Sequence, residues 1–203
     1  MLKIAILISG GGSNMESILN SIDSKFLSNV EVITVISDRD AKGIEIAKQK
    51  GFNTRILDRK VYKSNLSDKI LEILDGNVDY IVLAGFLSII SNNLIRKFKN
   101  RIINIHPSLI PSFCGAGMYG MKVHKAAIDK GVKFSGCTVH FVNEEVDGGA
   151  IIKQEIVEVL ETDTPEILQK RILKKEHIAL PSVLKLISEN KLEIINNKVK
   201  ISL

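Results

Sequence analysis

The chain has 203 residues, 45% of them hydrophobic, and a formal net charge of +5. That length suits one large domain with a substantial core, so residues 1–203 are read as a single domain. No apolar run approaches the roughly 20 residues that a membrane span needs. The two cysteines, Cys114 and Cys137, match neither a metal-ligand spacing nor a disulfide framework. No dense Lys/Arg tract with interleaved aromatics points to nucleic acid. A reduced, cytoplasmic setting and small anionic substrates fit this balance, with no metal, membrane or nucleic-acid partner.

Lys3 to Ile8 is a continuous β-branched and Leu run, the pattern of a strand buried on both faces. Ser9-Gly10-Gly11-Gly12-Ser13-Asn14 follows, and then a helical pattern from Met15 to Ile22. Strand, glycine loop and helix together make an anion site. Glycines let the backbone approach a phosphate, and the helix N-terminus supplies free N–H groups and a positive dipole end. Ser13 and Asn14 add side-chain donors. A Walker A loop is excluded because it needs a Lys that is missing here. The dinucleotide fingerprint fits Gly10 and Gly12 but meets Met15 where its third glycine belongs. Asp38, after the second strand, is the ribose-binding acid that such a site would use, so a nicotinamide-dependent dehydrogenase is the runner-up.

The second strand, Val30 to Ile36, ends at Ser37-Asp38-Arg39-Asp40. A helix from about Gly43 to Lys50, a short strand at Thr54 to Leu57 and a helix over Tyr62 to Leu74 come next. Asp79 to Ala84 is another buried strand. Ser91 caps a helix running to Phe98. Arg101-Ile102-Ile103 then leads into Asn104-Ile105-His106-Pro107-Ser108. The repeated β–α alternation predicts an α/β fold, a mostly parallel Rossmann-like sheet flanked by helices.

In a strand, residues i and i+2 point the same way, so Asn104 and His106 project together. Pro107 lacks a backbone donor and ends the strand. An amide and an imidazole therefore meet at a strand's carboxyl end, where open α/β sheets place their ligands. Beyond a loop, Ser108 to Met118, the spacing predicts a helix from Tyr119 to Lys130, then an antiparallel C-terminal part with a strand over Lys133 to Val142 and its antiparallel partner over Ala150 to Leu160. The last two enclose the acidic, glycine-ended loop Asn143 to Gly149. A long helical segment, Pro165 to Asn190, is predicted to be interrupted near Pro181. Leu192 to Ile201 reads as a small antiparallel hairpin with an Asn-Asn turn.

Five stretches together resemble a known family: Leu7 to Asn14, Leu83 to Phe86, Ile103 to Pro111, Thr138 to Val142, and Val146 to Gly149. They resemble, in order and over nearly the whole chain, the folate-dependent phosphoribosylglycinamide formyltransferases of purine synthesis. The resemblance implies attack by the amine of glycinamide ribonucleotide on the formyl carbon of 10-formyltetrahydrofolate, which serves as co-substrate. It makes Asn104, His106 and Asp147 the catalytic group. Asn104 and a protonated His106 would stabilise the oxyanion, and Asp147 would favour that proton and steer a relay water. Gly11, Gly12, Ser13 and Asn14 match the substrate-phosphate loop, and Glu176 matches a substrate-contacting acid. Asn104 and the segment Leu87, Ser88, Ile89 and Ile90 match the folate pocket.

The chain departs from the family pattern at Ser88, a position that can be Arg, and around Tyr62-Lys63-Ser64-Asn65, which lacks an expected Arg. Lys63 is left to serve the folate tail, though an ammonium is no bidentate fork. The resemblance also implies a cis peptide at Ile110–Pro111 and a buttressing role for His140. His124 and His177 read as surface or supporting groups. A monomer or a homodimer is equally compatible. The same Asn-x-His and Asp logic serves formyl transfer to initiator methionyl-tRNA or amino sugars, and formyltetrahydrofolate deformylase. The first of these usually adds a C-terminal domain and the last an N-terminal one. A nucleotide-binding module without catalysis would keep the glycine loop but would not need Asn104, His106 and Asp147 together.

Overall fold

The computed structural model describes residues 1–202. Seven strands form one sheet in the order β3-β2-β1-β4-β5-β6-β7. They are β1 (Leu2–Ile8), β2 (Val30–Ser37), β3 (Thr54–Ile56), β4 (Tyr80–Leu83), β5 (Ile102–His106), β6 (Phe134–Phe141) and β7 (Ile151–Glu158). The first five pair in parallel, and β6 and β7 are antiparallel.

The period-2 alternation of β1 explains the layering. Ile4, Ile6 and Ile8 enter one core with α1 (Ser13–Asp23), α2 (Lys42–Gln49), α6 (Met121–Lys130) and α7 (Pro165–Ser188). Ala5 and Leu7 enter the other, with α4 (Leu66–Leu74) and α5 (Asn92–Lys97). Both faces of the sheet are thus covered, which is why its strands read as unbroken apolar runs.

The order of connection reverses at β1. The chain passes outward to β2 and β3, then returns to β4 on the other side. The crevice at such a reversal, above the carboxyl ends of the strands, is where α/β sheets bind ligands. Here it lies between the Ser9–Gly12 loop and the Gly85–Ile90 segment. The two are joined by Ser9 N–H to the Gly85 carbonyl (3.1 Å) and Leu87 N–H to Ser9 Oγ (2.8 Å).

Three expectations change. The predicted helix over 62–74 is divided into α3 (Arg59–Tyr62), a 3-10 turn (Lys63–Asn65) and α4, because Lys63 takes a left-handed φ of 47°. The helix predicted from Tyr119 begins at Met121, since Gly120 has φ 55°. Helix α7 continues through Pro181 for 24 residues. Pro181 cannot donate to the preceding turn, but burial of Leu180, Val183, Leu184 and Ile187 in the core outweighs that one bond. The hairpin of β8 (Leu192–Ile195) and β9 (Lys198–Ile201) closes as expected. Asn196 and Asn197 both have positive φ, as a type I′ turn requires.

Candidate active site

Strand β5 delivers Asn104 and His106 to one end of the sheet, with Ile105 buried between them. Asn104 stands opposite His140 in the β5–β6 ladder. Its Nδ2 lies 3.2 Å from His140 Nε2. The other ring nitrogen of His140 lies 2.8 Å from the Phe141 carbonyl. A carbonyl only accepts, so Nδ1 carries the proton and Nε2 offers a lone pair to the Asn104 amide. Burial lowers the pKa of His140, which favours this neutral form. The buttress expected at this position is therefore a hydrogen bond that sets the direction of the Asn104 amide.

Asp147 sits between the two imidazoles. Its oxygens lie 3.7 Å from His106 Nδ1 and 3.7 Å from His140 Nε2. The loop from Asn143 to Gly149 turns here because Asp147 takes φ 57°. Gly149 follows so close to the Phe141 carbonyl that a Cβ would overlap it. Asn143 pins the turn by donating from Nδ2 to the Gly148 carbonyl (3.1 Å) and accepting from Glu145 N–H at Oδ1 (3.1 Å). His106 is 4% exposed and its Nε2 donates to the Phe113 carbonyl at 3.0 Å. The carboxylate, the amide and both rings thus share one small volume. A cleft of about 540 Å³ beside them runs between Pro111, Cys114 and the Asp147 loop, and Lys198 of the hairpin flanks it.

At the switch-point crevice, α1 begins directly after Gly12. Gly12 has φ 77°, and a Cβ there would lie 2.8 Å from Gly43 Cα. Its role is therefore close packing against α2 as well as the turn. Ser13 is half-buried. One of the two N–H groups of the Asn14 amide is committed, because Nδ2 donates to Glu176 Oε2 at 2.6 Å. Burial raises the Glu176 pKa, and the Asn14 hydrogen bond only partly offsets this. What the loop presents outward is its own backbone at Gly10 and Gly11, both exposed.

The acid that a dinucleotide site would use is committed elsewhere. Asp38 is fully buried and paired bidentately with Arg39 at 2.8 and 2.9 Å. Burial alone would raise its pKa, but hydrogen bonds from Arg39 and Ser88 lower it. Ser88 donates to Asp38 at 2.5 Å, which ties the Leu87–Ile90 segment to the end of β2. Ser88 is therefore a structural link between that segment and β2. Leu87 and Ile89 stay 45% and 85% exposed beside the crevice, while Ile90 is buried.

Residues 2–184 match the family model described as formyl transferase. The chain belongs to the formyl transferase family. It is 38% identical over 201 residues to phosphoribosylglycinamide formyltransferase of Haemophilus influenzae, covering 97% of this chain and 92% of that protein. It is 42% identical over 199 residues to the trifunctional purine biosynthetic protein adenosine-3 of Gallus gallus, covering 95% of this chain. It spans only 19% of the length of that protein. Glycinamide ribonucleotide transformylase 1 from Symbiobacterium toebii superposes with a TM-score of 0.92 at 40% identity, covering 99% of this chain and 94% of that one. A formyltetrahydrofolate deformylase from Pseudomonas syringae shares the fold, with a TM-score of 0.89 at 25% identity, covering 99% of this chain and 66% of that one.

Within this formyl transferase, Lys63 lies exposed on the 3-10 turn. His177 is half-buried, but His124 is only 2% exposed and so is not a surface group. Burial, and then the nearby His106 charge, push His124 down to about 4. The Ile110–Pro111 peptide is cis, as expected. The sequence assigns no role of their own to Thr138 and Gln154. Thr138 Oγ1 donates to the Ser108 carbonyl (2.7 Å) and accepts from Ile110 N–H (3.1 Å). Gln154 Nε2 donates to the Ile110 carbonyl and to Thr138 Oγ1, both at 3.0 Å. They hold the turn after His106 to β6 and β7. The signals in the sequence are a polar Thr138 on the same face of β6 as His140 and a polar Gln154 opposite Thr138 on β7. Among the described residues, no three His, Cys, Asp or Glu side chains group as metal ligands, and no helix is long and apolar enough to cross a membrane.

Proposed function

We propose that this chain transfers the formyl group of 10-formyltetrahydrofolate to the amine of glycinamide ribonucleotide, in purine synthesis. The observation that carries this reading is the convergence of Asn104, His106 and Asp147 at the end of β5, one strand away from the switch-point crevice and its glycine loop.

The amine nitrogen attacks the formyl carbon, and the carbonyl electrons move to oxygen. Asn104 gives one N–H to His140 and keeps the other for that oxyanion. The His106 Nδ1 edge is the second donor when the ring is protonated. Each such donor is typically worth about 3 kcal/mol to the transition state. The attacking nitrogen must then lose a proton while the folate nitrogen gains one. Asp147, 3.7 Å from both rings, takes that proton through a relay water and returns it by the same water to the leaving folate nitrogen. Collapse of the intermediate releases tetrahydrofolate and formylated product. The steps are proton transfer and charge stabilisation by side chains, with no metal step.

The backbone of Gly11, Gly12, Ser13 and Asn14 holds the substrate phosphate at the N-terminus of α1. Glu176, anchored by Asn14, contacts the rest of that substrate. Leu87, Ser88, Ile89, Ile90 and Asn104 border the pterin, for which the exposed Leu87 and Ile89 supply an apolar wall. Lys63 is left for the folate tail. Residues 1–203 work as one unit in the cytoplasm, as a monomer or homodimer.

The test is a folate-release absorbance assay with glycinamide ribonucleotide as acceptor. Acceptor-dependent release of tetrahydrofolate is the expected result. Equal release of formate with no acceptor would identify a deformylase, and turnover only with another amine would reassign the acceptor.

A further inference from the structure

One short stretch of backbone touches both members of the His106–Asp147 pair. The Phe113 carbonyl accepts from His106 Nε2 at 3.0 Å. Two residues on, the Gly115 N–H donates to Asp147 Oδ2 at 2.8 Å. That same Asp147 oxygen is the one facing His106 Nδ1 at 3.7 Å. The stretch therefore closes a loop: ring, carbonyl, two residues of backbone, amide, carboxylate and ring again.

Geometry of this kind has a chemical consequence. A carbonyl can only accept, so Nε2 must carry the proton on which this contact depends. In a neutral imidazole the other nitrogen is then the lone-pair bearer, and in the imidazolium it is the outward donor. Phe113 thus selects Nδ1 as the nitrogen that faces Asp147 and the reacting atoms. The carbonyl reaches the ring because Phe113 adopts a left-handed φ of 51°, a conformation unfavourable for a residue with a Cβ. Its partly buried side chain packs against the core on the α6–α7 side of the sheet, and this contact offsets that cost. The preceding turn is separately braced, Ser108 Oγ donating to the Ser112 carbonyl at 2.5 Å.

We propose that Phe113 is a positioning residue for formyl transfer: its ring anchors a backbone clamp, the Phe113 carbonyl on His106 and the Gly115 N–H on Asp147, that makes Nδ1 the working nitrogen and sets its distance from the carboxylate. The proposal rests on the formyl-transfer reading of the site. It names no new contact with substrate, so its signature lies in kcat and in the tautomer.

The experiment combines kinetics with ¹⁵N NMR of the histidine rings in the substrate-free protein. At pH 9 wild-type His106 should show the proton on Nε2. Phe113→Ala should lower kcat at least tenfold, leave both KM values within threefold, and give a mixture of His106 tautomers. Phe113→Leu, which refills the anchor, should restore kcat to within threefold and the single tautomer. Wild-type His106 protonated on Nδ1 would overturn the proposal whether or not any variant folds. So would Phe113→Ala with normal kcat, or with only KM altered. Because the tautomer is read without substrate, a wild-type protein that fails to use glycinamide ribonucleotide would defeat the functional reading and leave this test standing.

Discussion

Asn104 and His140 face each other across the antiparallel β5–β6 ladder, and their side chains meet at 3.2 Å, Nδ2 to Nε2. The contact converts a freely rotating amide into a donor with one direction, because one N–H is fixed on the imidazole lone pair and the other must point away from it. Preorganisation of this kind is what makes a hydrogen-bond donor useful to a developing oxyanion. His140→Leu removes the lone pair and frees the Asn104 amide to turn. The expected result is a kcat reduced about tenfold to a hundredfold with KM values little changed. Steady-state kinetics on the variant checks it, and wild-type kcat would show that Asn104 needs no partner.

Asp147 is the carboxylate that faces both imidazoles, at 3.7 Å from each. Asp147→Asn keeps the shape and the Gly115 contact but removes the charge and the proton acceptor. Formyl transfer should fall at least about a hundredfold while both substrates still bind. Single-turnover rates and equilibrium titration with each substrate separate the two effects. Near-normal turnover would leave Asp147 a purely structural loop residue.

Gly12 combines φ 77° with a Cβ position 2.8 Å from Gly43 Cα. Gly12→Ala should cost about 1–2 kcal/mol from the left-handed backbone alone, and the collision should push α1 away from α2. Urea unfolding reads the stability loss. The KM for the phosphorylated substrate should rise more than the KM for the folate, since the proposed function puts only the former on this loop. Equal effects on both would argue against a phosphate at Gly11 to Asn14.

His124 gives the stability a defined pH dependence. Its folded pKa is about 4, against an unfolded value of 6.5, because burial and the nearby His106 charge oppose protonation. Between those two values the unfolded chain binds a proton that the folded protein refuses. Stability should therefore be complete above about pH 6.5 and fall as the pH drops towards 4. Allowing for solvent screening, the loss from this group is on the order of 2 kcal/mol. His140, whose pKa is also lowered by burial, adds in the same direction. His124→Asn should flatten this part of the curve. Denaturant midpoints measured from pH 7 to pH 4.5 in both proteins decide the matter, and parallel curves would show that His124 does not carry the effect.

The parallel sheet was legible in the sequence because each buried strand is an apolar run too short for a helix and bounded by turn residues. β1 shows this best, its alternate residues filling opposite cores. Asn104 and His106 were legible as a pair because a strand's period is two and Pro107 ends it. The I′ turn at Asn196-Asn197 follows from a residue type that tolerates positive φ. These are local effects, set by neighbours along the chain. Other features were decided by groups distant in sequence. Asn14 and Glu176 are 162 residues apart, and no local rule says that Asn14 donates to a buried acid. Asp38 reads locally as a ribose ligand, but its carboxylate is held by Arg39 and by Ser88, 50 residues on. The continuity of α7 through Pro181 overrides a strong local signal because core burial on both sides outweighs one missing hydrogen bond. His124 sits in a polar-looking helix, Met121-Lys122-Val123-His124-Lys125, where only the packing of α6 onto the sheet turns the imidazole inward. The sequence alone therefore determined the strands, their turns and the pairing of Asn104 with His106 on one strand face. Which nitrogen faces which oxygen was decided by the tertiary structure, since a proton's position on an imidazole depends on the acceptor the fold brings to its other side.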